Sequence, residues 1–195
     1  MKICKFWAAL ICAAALRTQG ARPATVRTFF SPNDNIAHKL IWYIDHARHR
    51  IWAAVYNFTD IDIAEALVRA LNRGVDVQVI TDQLCLKKRS GQAQNLSDAK
   101  ILTFIFNSDD AIKKRHIFPY QPLMHNKFAV IDGIVWQGSY NWTFSADKAN
   151  RESVVVIEDD YRSLCEFCNE FAVIRASCNR LLPTQHVDFS HALAF

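Results

Sequence analysis

Apolar positions recur at helical spacing in three segments of the chain and at strand spacing between them. Ile36, Leu40, Ile41, Ile44 and Ala47 form one stripe, which predicts a helix over residues 32–48 entered through Ser31-Pro32-Asn33-Asp34 with Ser31 as its cap. Residues 51–58 are apolar and rich in β-branched and aromatic types, as a buried strand requires. Thr59 and Asp62 repeat the capping pattern ahead of a second helix carrying Ile63, Leu67, Val68 and Leu71, and Gly74 is placed to close it in a left-handed conformation. Residues 75–81 alternate like a strand. Strand, helix, strand implies a right-handed crossover joining a parallel pair.

Beyond this unit the signal shortens. Residues 82–98 are polar and basic, a loop or short helix, and residues 101–106 suit a short strand. Residues 107–123 contain Pro119 and Pro122 and read as an irregular stretch bordering a cleft. Residues 128–132 and 134–137 predict a tight strand pair around Gly133, and residues 153–157 another strand. A last helix is predicted from Asp160 to Ala176, with Leu164, Phe167, Phe171 and Ile174 on its apolar side. The fold class is therefore α/β: a mixed, largely parallel sheet flanked by helices. One domain is expected over 27–182, with an irregular tail over 183–195.

The length of 195 residues, 51% of them hydrophobic, fits one domain with a substantial core and is short for two. Met1–Gly20 has the layout of a secretory signal: Lys2 and Lys5, the apolar run Phe6–Leu16, then Thr18-Gln19-Gly20 as a candidate cleavage site. A retained N-terminal anchor is the alternative. Export to the periplasm or outside the cell is the expected localisation. Cleavage would remove Lys2, Lys5 and Arg17 and no acid, lowering the formal charge from +4 to +1. Any grip on a polyanion must then come from local clusters. Lys87-Lys88-Arg89 and Lys113-Lys114-Arg115-His116 are the candidates, against the plainer reading of solvated basic faces.

Cys85, Cys165, Cys168 and Cys178 remain after such cleavage. A disulfide involving Cys178 and a zinc set of Cys165, Cys168, Cys178 and His186 both suit the spacing. The plainer reading makes Cys165 and Cys168 small buried residues of a helix.

The densest chemistry lies further along. His125 and Lys127 are two apart on an extended segment, so both side chains project to one face and can meet one phosphate. Imidazole can attack phosphorus or transfer a proton near neutral pH, and the ammonium offsets charge on the oxygens. Asp132 has the opposite parity and, beside Gly133, suits a turn. Trp136 and Trp142 fit either a cleft lining or the core.

The run MHNKFAVIDGIVWQGSYNWTFSADKANRESVVVIE, Met124 to Glu158, resembles the H-x-K-x4-D region of the phospholipase D superfamily. RIWAAVYNFTDIDIAEALVRALNRGVDVQVITD, Arg50 to Asp82, resembles the first half of that domain. The likeness covers roughly Phe29 to Ala176 and is greatest to the small single-motif members, bacterial periplasmic endonucleases and mitochondrial phospholipase D-like proteins. One departure is Gln137-Gly138-Ser139, where the family often has Gly-Gly-Ser or Thr-Gly-Ser, and it bears on the turn around Gly138.

The resemblance implies phosphodiester hydrolysis through a phosphohistidine, with a second histidine protonating the leaving oxygen. No other histidine here is followed by lysine in that pattern. It therefore implies a homodimer whose two His125-Lys127 pairs share one site. It further implies Lys127, Ser139 and Asn141 at the phosphate oxygens and Glu152 orienting the histidine. No metal or cofactor is implied, because lysine and amide donors supply the charge stabilisation. Nucleic acid is the expected substrate, with phospholipid as the alternative. Apolar Ile117, Phe118 and Tyr120 would then give a peripheral membrane contact. A noncatalytic nucleic-acid-binding module is the reading from a different class.

Overall fold

The computed structural model describes residues 23–107 and 122–184. Met1–Gly20, Lys113–His116, Ile117, Phe118, Tyr120 and His186 lie outside the described residues. The strands are β1 Thr25–Phe30, β2 Arg50–Val55, β3 Asp76–Asp82, β4 Leu102–Phe106, β5 Lys127–Ile131, β6 Ile134–Gly138, β7 Ser153–Glu158 and β8 Cys178–Arg180. The helices are α1 Ile36–His46, α2 Ile61–Asn72, α3 Gln83–Lys87, α4 Ala93–Asp98, α5 Phe144–Lys148 and α6 Tyr161–Arg175.

All eight strands join one sheet in the order β1-β7-β6-β5-β2-β3-β4-β8. It is mixed and flanked by helices, as expected, but antiparallel pairing dominates: only β2/β3 and β3/β4 run parallel. The expectation of a largely parallel sheet came from the one visible crossover. The second half of the chain turns back through tight connections such as Asp132-Gly133, which only antiparallel neighbours allow.

Alternation along β2 decides the layering. Ile51, Ala53 and Val55 point into a core shared with Leu40, Ile44, Leu67 and Ala70 of α1 and α2. Trp52 and Ala54 point the other way, toward Phe171 and Ile174 of α6, where Trp52 stacks on Phe171 with ring centroids 5.5 Å apart. Burying a side chain such as Phe171 contributes about 2–3 kcal/mol.

Local starts and stops differ from the sequence reading in instructive ways. Ser31 does not cap α1; its hydroxyl donates to the Asn150 carbonyl and accepts from the Glu152 N–H, so a turn intervenes and the helix begins at Ile36. Asp60, not Thr59 or Asp62, caps α2 by accepting from the Ile63 N–H. Gly74 does close that helix, at φ +87°. β1, α5 and β8 carry too little periodicity to be read from sequence. β1 pairs along the whole of β7, so its partner rather than its own pattern makes it a strand.

Trp136 and Trp142 are fully buried core residues, Trp142 packing edge-on to Phe58 at 5.0 Å. Cys85, Cys165, Cys168 and Cys178 carry thiols rather than disulfides, and Cys165 and Cys168 are half-buried rather than enclosed. Burial, with the Asp82 carboxylate nearby, pushes the Cys178 thiol up to about 12, which suits a packed thiol better than a metal-binding thiolate. Among the described residues no group of three or more His, Cys, Asp or Glu side chains is placed to hold a metal ion. No described helix is long and apolar enough to cross a membrane.

Asp132 is structural, as its parity indicates. Its carboxylate accepts from the backbone N–H groups of Arg48, His49 and Arg50, each at 2.9 Å, tying the entrance of β2 to the β5–β6 turn. Burial raises its pKa, but the three backbone donors and the neighbouring His49 outweigh it and the net shift is downward from 3.8. A lowered carboxyl contributes stability above its unfolded value and loses it as pH falls through the lowered folded one. Asp132→Asn tolerates the observed φ of 51° while losing the charge. We expect it to cost about 1–3 kcal/mol near neutral pH. In urea titrations the gap to wild type should narrow below about pH 4; a constant gap would remove the carboxylate from the account.

Candidate active site

β2 and β5 run antiparallel with Val55 opposite Lys127, and the pairing extends past Val55 because the Tyr56 N–H donates to the Asn126 carbonyl at 2.9 Å. This brings Tyr56 against the start of β5. The His125 ring lies 4.7 Å from the Tyr56 ring, and the Lys127 ammonium is 5.0 Å from the same ring. The two residues thus share one face, as the spacing predicted. Asp82 fixes the incoming chain: its carboxylate accepts from the Met124 N–H at 3.0 Å and from the Leu84 N–H at 3.0 Å.

His125 is exposed, while Lys127 retains only 8% of its surface. Lys127 donates to the His125 carbonyl and makes no salt bridge among the described residues. Burial holds it below the ordinary lysine value of 10.5, an effect opposed by the Glu152 carboxylate nearby. One of the three ammonium N–H donors is thus engaged by a backbone carbonyl.

Asn141 arrives from the other half of the sequence. The Trp142 N–H donates to the Asn57 carbonyl, and the N–H groups of Thr59 and Asp60 donate back to the Trp142 carbonyl. This locks the segment after β6 beside the end of β2. The Asn141 Oδ1 accepts from the Asn57 N–H at 3.2 Å, which leaves the Nδ2 group as the donor end of this side chain.

Gly138 precedes this segment where β6 pairs with β7, and a Cβ there would collide with the Ser153 carbonyl oxygen. The backbone approach demands glycine at 138 itself, whereas Gln137 continues the β6 ladder opposite Phe128 and Val155. The turn geometry accommodates the departure at Gln137.

Glu152 and Ser139 are arranged differently from the expectation. The Ser139 hydroxyl donates to Glu152 Oε2 at 2.6 Å and accepts from the Ser153 N–H, while Asn150 donates to Glu152 Oε1 at 3.0 Å. Ser139 therefore spends its proton on Glu152 rather than pointing it at a phosphate. Within one chain the Glu152 carboxylate is held by Ser139 and Asn150, and no hydrogen bond joins it to the His125 ring. Its influence reaches the site as a field on Lys127.

Sequence reasoning missed Tyr56 and Asn57. Their signal was available: an aromatic and an amide at the carboxyl end of a strand in a parallel pair, where open α/β sheets bind ligands.

The mixed eight-stranded sheet, with His125, Lys127 and Asn141 carried by segments at its strand ends, defines the class by its fold. The family model described as "Cardiolipin synthase, PLD-like domain" matches residues 40–175. The chain belongs to this phospholipase D-like family. It is 35% identical over 142 residues to a phospholipase D of Rickettsia felis, covering 72% of this chain and 64% of the relative. It is 31% identical over 127 residues to the mitochondrial cardiolipin hydrolase of Xenopus tropicalis, covering 65% of this chain and 55% of that protein. The chain thus spans less than two thirds of the length of these curated relatives. Among solved structures, the phospholipase D family member NUC from Salmonella typhimurium superposes with a TM-score of 0.71 at 26% identity, covering 82% of this chain and 99% of that one.

Proposed function

We propose that this protein is a phosphodiester hydrolase that works through a phosphohistidine in a site shared by two copies of the chain. The observation that carries the reading is the nearly buried Lys127 ammonium, without a salt bridge among the described residues, beside the exposed His125 on the Tyr56 ring. A nitrogen of one His125 attacks phosphorus and the bond to the leaving oxygen breaks. His125 of the second copy, protonated, gives its proton to that oxygen. Water then attacks phosphorus, the bond to the first imidazole nitrogen breaks to free that histidine and release the phosphomonoester, and the water's proton passes to the second imidazole. Lys127 and the Nδ2 of Asn141 hold the non-bridging oxygens throughout. Glu152, anchored by Ser139 and Asn150, maintains a negative field that favours the Lys127 ammonium.

The homodimer follows from stoichiometry: the mechanism needs two histidines of this kind and the sequence has one in the motif. Nucleic acid is the leading substrate and export the proposed destination. Phospholipid is the second reading, supported by relatives described as phospholipase D and cardiolipin hydrolase. Purified protein incubated in EDTA with bis(p-nitrophenyl) phosphate, DNA, RNA, phosphatidylcholine and cardiolipin tests both. Hydrolysis of the small diester and of nucleic acid is expected. Loss of all activity in EDTA, restored by a divalent ion, would defeat the metal-independent route. Binding of nucleic acid with no turnover of any substrate would leave a binding module.

A further inference from the structure

Beside the His125 centre, at the carboxyl ends of β2 and β3, lies a cavity of about 240 Å³ lined by Tyr56, Asn57, Leu84, Cys85, Lys87 and Lys88. Tyr56 is common to both: it carries His125 and Lys127 against its ring and also lines the cavity. Three of its features point to one kind of occupant. The Tyr56 ring and the Leu84 side chain supply apolar surface. The Asn57 Oδ1 is buried with no hydrogen-bond partner, an unmet acceptor that costs free energy until a donor arrives. Lys87 and Lys88 are exposed and make no salt bridge among the described residues, and both line the cavity, so their charge faces an anion there.

These lysines are held in place. Cys85 donates its thiol hydrogen to the Phe58 carbonyl, and the Gln92 N–H donates to the same oxygen, pinning both ends of the segment to the strand that ends at the site. The Gly91 N–H closes the turn onto the Lys88 carbonyl, and a Cβ at Gly91 would strike the Cys85 carbonyl oxygen.

Resting on the hydrolase reading above, we propose that this cavity takes the nucleobase next to the scissile phosphate, with Lys87 and Lys88 gripping the following phosphate of the strand. A base offers a flat face to Tyr56 and Leu84 and N–H donors to the Asn57 oxygen, and its neighbouring phosphate meets the two ammonium groups. A choline headgroup fits badly, because it brings a third positive charge against the two lysines.

The test compares two substrates on the full-length protein. One is a single-stranded oligonucleotide with one cleavable phosphate, and the other is bis(p-nitrophenyl) phosphate, which has neither base nor second phosphate. The Lys87→Ala/Lys88→Ala variant is expected to lower the ratio of oligonucleotide to small-diester kcat/KM at least tenfold. It should also flatten the salt dependence of oligonucleotide KM. Independently of any variant, an abasic residue in place of the flanking base should lower wild-type kcat/KM about tenfold. An unchanged ratio together with full activity at the abasic position would overturn the subsite while leaving the hydrolase reading intact. A lysine-dependent preference for cardiolipin vesicles over the oligonucleotide would assign the cavity to lipid and overturn it too. Inactivity on every substrate would defeat the hydrolase reading and the subsite with it.

Discussion

His125→Ala is expected to reduce turnover of bis(p-nitrophenyl) phosphate by about 10⁴-fold or more, because on the proposed mechanism it removes the nucleophile and, in the second copy, the acid. The fold should survive the change. His125 is exposed and its ring lies against Tyr56 at the surface, so stability should move by no more than about 0.5 kcal/mol. Mixing the variant with wild type and allowing subunits to exchange then distinguishes a shared site from separate ones. If both histidines of a pair are needed, activity follows the square of the wild-type fraction. A straight line would return a complete site to each chain, and substantial turnover by the pure variant would end the covalent mechanism.

Lys127→Met is expected to lower kcat by about 10²–10³-fold, the usual loss when one preorganised donor to a developing oxyanion is removed. The residue is nearly buried and makes no salt bridge among the described residues, so methionine can fill its space without stranding a described partner charge. The pH profile supplies a second readout. Burial holds the wild-type ammonium below 10.5, opposed by the Glu152 carboxylate, so activity should fall on the alkaline side before an ordinary lysine would titrate. The Met variant should lack that limb. A Met variant that retains both the rate and the alkaline fall would show that another group carries the charge.

The dependence of the site on its surroundings is uneven. His125 needs little beyond its place on the chain, whereas Lys127 depends on a desolvated setting created by the pairing of β2 with β5. Asn141 depends on the Phe58–Trp142 bridge, which holds its segment where its Oδ1 accepts from the Asn57 N–H. Substitutions that loosen this bridge should weaken phosphate binding without touching the motif.

The sequence by itself determined the helices α1, α2 and α6, the crossover between β2 and β3, and the H-x-K pair on one face, because each rests on local periodicity or on side-chain alternation within a few residues. It also determined the structural part played by Asp132, since parity and a neighbouring glycine are local properties. Only the tertiary structure decided which strands lie antiparallel. It also decided that β1 is a strand at all, and that Ser31 serves Asn150 and Glu152 rather than a helix cap. The same holds for Ser139, whose proton goes to Glu152, and for Tyr56 and Asn57, which enter the site through partners some 70 to 85 residues away. Hydrogen bonds and ring contacts between distant segments leave no period in a sequence; they exist once packing has brought the strand ends together.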